Sequence, residues 1–557
     1  MSLPDNASEF MSWTAGQIRP YIDELIARPL TAETIDMWLL DTQKLGGFFQ
    51  AWRARLDIAT GLNTADGDAK RRSQDFRRDI FPLAQRLYEA IDARILEHEA
   101  MLPPGLEIPV RAMKASRELF NDAAIPLLNE EAELCEECNS IFGAQTVIWQ
   151  EQELTLRQLD LNFRDPDRSV REQAWHLLMA RRADDRTALT THWKQLLDTR
   201  CKLAVAAGFS NYIDYRFREL GRFDYRPEDS LRFHDAIAAV VVPALSRMFE
   251  QRRHRLDVET LRPWDLDVDP SGKAPLNPFR DAADLVEKSS RVFYRIDPEF
   301  GAFFDEMRAH DLLEFSNRKN RGAAGGFTRV IFGTGTFLFM NLTGTHADMV
   351  GMMHELGHAF HHYSCFKKRY IQQMITPADF GETPSKVMEL LSMPCWDEFY
   401  QPNDLQRAQN DYWAGAFQRW VEIALFDAFQ HWAYSHPDEA AIPAQCTSHW
   451  AALIERFMPA VDWSGLEDQR AYGWLSPYPT LFAPLFGPEY VYGQLAALQI
   501  WREVQQDHPG AIQRYKNAIS LGNTVTVPEM FAALNTHFPI DAADLRAAVA
   551  AIEVALN

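Results

Sequence analysis

The chain is short of cysteine, of positive charge and of long apolar runs. Six cysteines in 557 residues fit a reducing compartment rather than a disulfide framework. The only close pair, Cys135 and Cys138 in AELCEECNS, lies in an acidic helix-like run without a second pair to complete a zinc knuckle, and reads as two helical thiols. Lysine and arginine number 57 against 78 acidic residues, a net charge of -21. That balance argues against a nucleic-acid or anionic-membrane surface and favours neutral or basic small partners. No apolar run approaches the roughly 20 residues that span a bilayer, and the opening MSLPDNASEFMSWTAG lacks a basic stretch followed by an apolar core. The expectation is a cytoplasmic globular chain, whose 46% hydrophobic content can fill a large core.

Fixed-period repeats and low-complexity tracts are also missing. What is present is helix. From about residue 10 to 135 one amphipathic segment follows another, broken by TADGDA and LPPGLEIP, which predicts an N-terminal helical arm over 1–135. Residues 141–163 carry β-branched and aromatic residues with partial alternation, so a strand or hairpin is expected there before helices resume to about 256. RPWDLDVDPSGKAPLNPF, 262–279, reads as an ordered surface connection. Then NRKNRGAAGGFTRVIFGTGTFLFMNLTGTHADM passes from a basic glycine-rich turn through short strands, FLFMNL the clearest, into a helix.

That helix carries MVGMMHELGHAFHHYSCF, 349–366, with four histidines and a glutamate inside nine positions. His354 and His358 are about 400 degrees apart on an α-helix, so both imidazoles stand on one face, a turn apart, and can bind one ion. Glu355 is about 100 degrees round, displaced from the ligand face yet within reach of a water, as a general base requires. Thr345 and Asp348 form a capping-box pattern at the helix start. Gly357 costs helix stability, about 1 kcal/mol against alanine, and is explained if another backbone approaches closely. His346, near the helix start, is expected at the surface.

A catalytic zinc takes three protein ligands and keeps one position open. A third ligand is available downstream in ADFGETPSKVMELLSMPCW, where Glu382 and Glu389 lie seven residues apart on one helix face and Pro384 falls in the tolerant first turn. One carboxylate could bind the metal while the other orients a histidine. A histidine pair plus a glutamate leaves no vacancy for His361 or His362. Both read as structural or substrate-proximal, His361 in the layer behind the ligands.

HELGHAFHH paired with GETPSKVMELL, 28 residues from first histidine to first glutamate, resembles the thimet oligopeptidase and oligoendopeptidase F family of zinc metallopeptidases, whose pattern is HExGHxxH, then a ligand glutamate and another glutamate seven residues on. The likeness extends over roughly 155–500, through DPDRSVREQAWHLLMARR, RCKLAVAAGFSNYIDYRFRELGRFDYRPED and LRPWDLD, and is closest to the oligoendopeptidase F branch. It implies a mainly α, two-lobed gluzincin fold with a deep central channel and a small β-sheet beside the HExxH helix. It implies 136–557 as the catalytic region, with the zinc site in 354–389 and substrate-side helices in 405–557. One zinc ion is implied, on His354, His358 and Glu382, with Glu355 as base and proton shuttle and Glu389 behind the ligands. By analogy FLFMNLTGT would be the sheet edge that pairs with extended peptide, with Gly344 and Thr345 beside the substrate.

The family also carries a histidine followed by closely spaced tyrosines that donate to the oxyanion. Here YPTLFAPLFGPEYVYGQLAALQIW offers Tyr490, Tyr492 and, upstream, Tyr478, but no histidine and no last tyrosine. Tyr490 is the best match for the first donor and Tyr492 for the second, and His449 is a candidate to supply the histidine. The resemblance therefore implies a zinc endopeptidase of short unfolded peptides, working as monomer or homodimer with neither nucleic acid nor membrane as partner. Two other readings are a zinc-binding pseudo-peptidase with weak turnover, and a carboxypeptidase-like exopeptidase using Arg318, Lys319 and Arg321.

Overall fold

The structure is a computed structural model that describes residues 3–556 apart from 64, 120–122, 317–325, 476–479 and 539–540. Arg318, Lys319, Arg321 and Tyr478 lie outside the described residues. Helix accounts for 71% and strand for 4%, in line with the mainly α expectation. The elements that concern the site are, in chain order, β1 (Thr146–Trp149), β2 (Gln152–Thr155), α1 (Pro227–Ala236), β3 (Leu313–Glu314), β4 (Gly326–Ile331), β5 (Gly335–Met340), α2 (His346–Cys365), α3 (Thr383–Ser392), α4 (Pro402–Ser435) and α5 (Pro488–Val504).

The chain forms two compact units, each built from three segments. The first comprises Met1–Ala115, Asn277–Gln401 and Ala496–Phe538, and the second Ser116–Leu276, Pro402–Leu495 and Pro539–Asn557. The N-terminal helices up to Ala115 thus share a unit with α2, a division by non-contiguous segments where the helix pattern suggested a sequential one at 135. No helix among the described residues is long and apolar enough to cross a membrane.

In the second unit the expected hairpin is β1–β2, with Trp149 opposite Gln152. Its two turn residues, Gln150 and Glu151, have φ of 49° and 67°, the left-handed pair that a two-residue turn needs to match strand twist.

In the first unit three strands pair in the order β3-β5-β4, β5 parallel to β3 and antiparallel to β4. The segment FLFM, expected at a sheet edge, is instead the middle strand. Its side chains explain the placement, because Phe337 to Met340 are all 7% exposed or less, and a strand hidden on both faces belongs inside a sheet. Gln50 binds β4 from the Ile35–Leu62 helix, donating to the Val330 carbonyl at 2.6 Å and accepting from Phe332 N at 2.9 Å.

After β5 the chain turns into α2 through Gly344, whose φ of +85° suits glycine. The Asp348 carboxylate accepts from the backbone N–H groups of Thr343 at 2.6 Å and Thr345 at 3.1 Å. Thr345 in turn caps the Asp348 N–H, completing the expected capping box. The buried face of α2 packs Phe360 against Phe293, Phe300 and Phe303 at ring distances of 4.6 to 5.5 Å, a contact that fixes the helix rotationally.

Candidate metal centre

Rotation of α2 is what aims the histidines. With Met352, Met353, Leu356 and Phe360 at 0 or 1% exposure on the core side, His354 and His358 are left on the face towards α3. Their rings lie 4.9 Å apart and nearly perpendicular, at 86°. α3 meets that face at Gly357, where an added Cβ would lie 2.5 Å from Ser385 Cα and 2.7 Å from the Pro384 carbonyl oxygen. The close backbone approach expected from the glycine is therefore present, and the approaching backbone is the first turn of the helix that carries both glutamates.

Glu382 is the N-cap of α3, with Pro384 in the first turn. Its Oε2 is 3.3 Å from His354 Nε2 and 3.6 Å from His358 Nε2. One ligating atom from each of these three residues lies within 4.8 Å of the other two. The 3.3 and 3.6 Å separations match the roughly 3.3–3.6 Å edge of a tetrahedron whose ligands lie about 2.0–2.2 Å from an ion. Seven residues on, Glu389 Oε1 is 2.6 Å from His354 Nδ1. That contact holds a proton on Nδ1, so the Nε2 proton, which faces Glu382 in the metal-free protein, is the one a metal would displace. The two carboxylates thus take separate parts: Glu382 faces both imidazoles, and Glu389 holds one of them from behind.

A further participant was not singled out from the sequence. Lys386 Nζ is 2.8 Å from Glu389 Oε1. Its signal was available in the three-residue spacing on α3, which places both side chains on one helical face. Burial opposes ionisation of Glu389, but Lys386 and the His354 contact outweigh it and hold the carboxyl well below its ordinary range. Burial also disfavours a charged His354, yet hydrogen bonds to Glu382 and Glu389 push its imidazole up to about 9. Burial and the charge of His354 take His358 down to about 3. Burial pushes Glu355, on the same helix, up to about 7.

The remaining expected residues fall as follows. His361 is buried, bonded through Nε2 to the Thr376 hydroxyl at 3.1 Å and edge-on to Phe380. His362 stacks on it at an interplanar angle of 13°. His346 is not at the surface: it is 4% exposed and bonds Tyr400 at 2.8 Å through Nδ1, because the first turn of α2 is itself packed against Trp396. In the second unit, Tyr490 is half-buried beside Phe486. Tyr492 is buried, edge-on to Phe233 and Tyr225. His449 stacks flat on Trp432 at 4.1 Å.

The chain is similar to several known proteins. A curated relative, an oligoendopeptidase F homologue from Borreliella burgdorferi, is 20% identical over 299 residues, covering 51% of this chain and 48% of its own length, so the match spans about half of that relative. The solved structure of PZ peptidase A with an inhibitor superposes with a TM-score of 0.86 at 22% identity, covering 100% of this chain and 98% of the other. Oligoendopeptidase F from Enterococcus faecium gives 0.63 at 16% identity over 99% and 98%. These two likenesses show the fold. The sequence profile of peptidase family M3 matches residues 162–549, well over half of the chain and the whole of the site just described, and the chain belongs to that family of metallopeptidases.

Proposed function

We propose that this chain is a zinc-dependent oligopeptidase that cuts internal bonds of short, unfolded peptides. The reading is carried by the convergence of His354 Nε2, His358 Nε2 and Glu382 Oε2, the two nitrogens 3.3 and 3.6 Å from the oxygen, beside a glutamate free of ligand duty at 355. Two imidazoles and a carboxylate suit one zinc ion per chain and leave a fourth position open. When bound there, zinc supplies the Lewis acidity that polarises a peptide carbonyl and eases loss of a proton from water.

The chain's own residues do the rest. Glu389 keeps the His354 proton on Nδ1, so that Nε2 points its lone pair into the site. Glu355, pushed up to about 7 by burial, is matched to accept a proton from water near neutral pH and to pass it to the leaving amine. Tyr490, half-buried on α5, is assigned as hydrogen-bond donor to the developing oxyanion, with Tyr492 beside it in sequence as the second candidate. Gly344 and Thr345, at the turn between β5 and α2, are assigned to the peptide backbone.

The relative named an oligoendopeptidase F homologue and the peptidase bound to an inhibitor support a peptide substrate. A zinc-binding protein without turnover is the second reading, and the presence of Glu355 counts against it, because holding metal requires the ligands and not the base. We assign the chain to the cytoplasm, as monomer or homodimer.

The test is to incubate the zinc-loaded protein and its Glu355→Gln variant with a mixed library of peptides of about 5–20 residues, sized to an enclosed site, and to read products by mass spectrometry. Internal cuts by the parent alone are expected. Equal, negligible cleavage by both would remove the peptidase reading, and removal of single terminal residues would replace it with an exopeptidase.

A further inference from the structure

In the second unit, His234 of α1 and Asp427 and His431 of α4 converge in the interior, 3%, 2% and 4% exposed. One ligating atom from each lies within 4.8 Å of the other two. The arrangement repeats the device seen on α2: two side chains four residues apart on one helix share a face, and a different helix supplies the third.

His234 Nε2 is 2.7 Å from Asp427 Oδ2, and His431 Nε2 is 3.6 Å from the same oxygen. The first distance is a hydrogen bond. The second is too long for one, yet close to the roughly 3.3 Å edge of a tetrahedron whose ligands lie about 2.0–2.1 Å from a zinc-class ion. It also equals the longer of the corresponding distances at Glu382. A proton shared between His234 and Asp427 accounts for one contact and leaves two buried atoms, His431 Nε2 and Asp427 Oδ1, without a hydrogen-bond partner among the described residues. Buried polar atoms are almost always satisfied, and an ion or a water is one partner that such orphans call for. Arg222, whose charge also acts on Asp427 and His431, makes a buried ion pair with Glu489 and a 2.8 Å bond to the Leu485 carbonyl.

We infer that His234, Asp427 and His431 form a second divalent-cation site of zinc type, distinct from the HExxH centre. Imidazole, imidazole and carboxylate are a donor set for zinc rather than for calcium or magnesium, which take oxygen ligands. Binding replaces the shared proton and opens the His234 to Asp427 edge by about half an ångström, to the tetrahedral value. The burial of all three ligands makes the role structural: the ion ties α1 to α4 just before the π-helical turn Ile237–Val241.

The full chain, loaded with zinc and freed of loose metal by dialysis, is expected to hold about two ions per chain, one at each three-ligand site. A His354→Ala/His358→Ala double variant should lose one ion and keep the other. Asp427→Asn and, separately, His431→Gln should each lose one while keeping the HExxH ion, and cobalt in the double variant should give the strong visible absorption of a tetrahedral site. One ion per parent chain, or about two persisting in a folded Asp427→Asn or His431→Gln protein, overturns the inference. The double variant binding no metal overturns it as well, without appeal to any substitution in the buried cluster. Because metal content is read and not peptide cleavage, the outcome is independent of the peptidase reading.

Discussion

Gly357 on α2 and Ser385 on α3 touch backbone to backbone: a Cβ on the glycine would lie 2.5 Å from the serine Cα and 2.9 Å from its nitrogen. The contact sets the distance between the histidine helix and the glutamate helix. Helix propensity alone favours Gly357→Ala by about 1 kcal/mol. Overpacking a filled interior costs about 1–3 kcal/mol, and here the cost prevails, because the opposing atoms are main chain and cannot swing aside. Tyr515 further fixes the Pro384 carbonyl with a 2.9 Å bond. Gly357→Ala should therefore lower the melting temperature and weaken metal binding together, by calorimetry and chelator competition. A variant that is more stable and still binds metal normally would show that the helices have room to separate.

Glu389→Gln tests the carboxylate behind His354. The substitution keeps the shape but removes the charge that anchors both the imidazole N–H and Lys386. Metal affinity should fall about 10- to 100-fold, the usual effect of losing such a partner. Competition against a chelator measures it, and unchanged affinity would mean that Glu389 does not orient His354.

In the metal-free protein His354 is pushed up to about 9 from 6.5, so at neutral pH it carries a proton that a metal must displace. Metal affinity should accordingly drop about tenfold for each pH unit below 9 and level off above it. The same shift has a stability consequence of definite sign. A group whose folded value is raised contributes stability fully present below its unfolded value and lost as pH rises through the folded one. From this group the metal-free protein should lose stability between about 6.5 and 9, whereas the metal-loaded protein should not. Thermal scans of both forms across that range separate the cases.

Glu355→Gln should leave metal content intact, since no ligand is touched, while turnover falls about 100- to 10,000-fold, the range for a general acid–base group. Elemental analysis and a peptide assay on the same preparation provide the check. Loss of metal in parallel with activity would instead make Glu355 part of the binding shell.

Much of this was legible because the relevant signals are local. The capping pair Thr345 and Asp348, the four-residue spacing of His354 and His358, the hairpin near 150 and the close approach at Gly357 each depend on a few neighbouring residues and helical or strand geometry. Two expectations failed for one common reason. His346 was read as a surface residue and FLFM as a sheet edge, and both are buried by partners remote in sequence, Tyr400 and Trp396 for the first and β3 with β4 for the second.

The sequence by itself determined the proposed donor set and the helices that carry it, because ligand chemistry and helical periodicity are properties of short stretches. Tertiary structure decided which glutamate faces which nitrogen, that Lys386 backs Glu389, and that His234 meets Asp427 and His431 across 193 residues of chain. Those pairings depend on how close two helices pack, and that distance is set by side-chain volume at the contact rather than by any pattern within either helix.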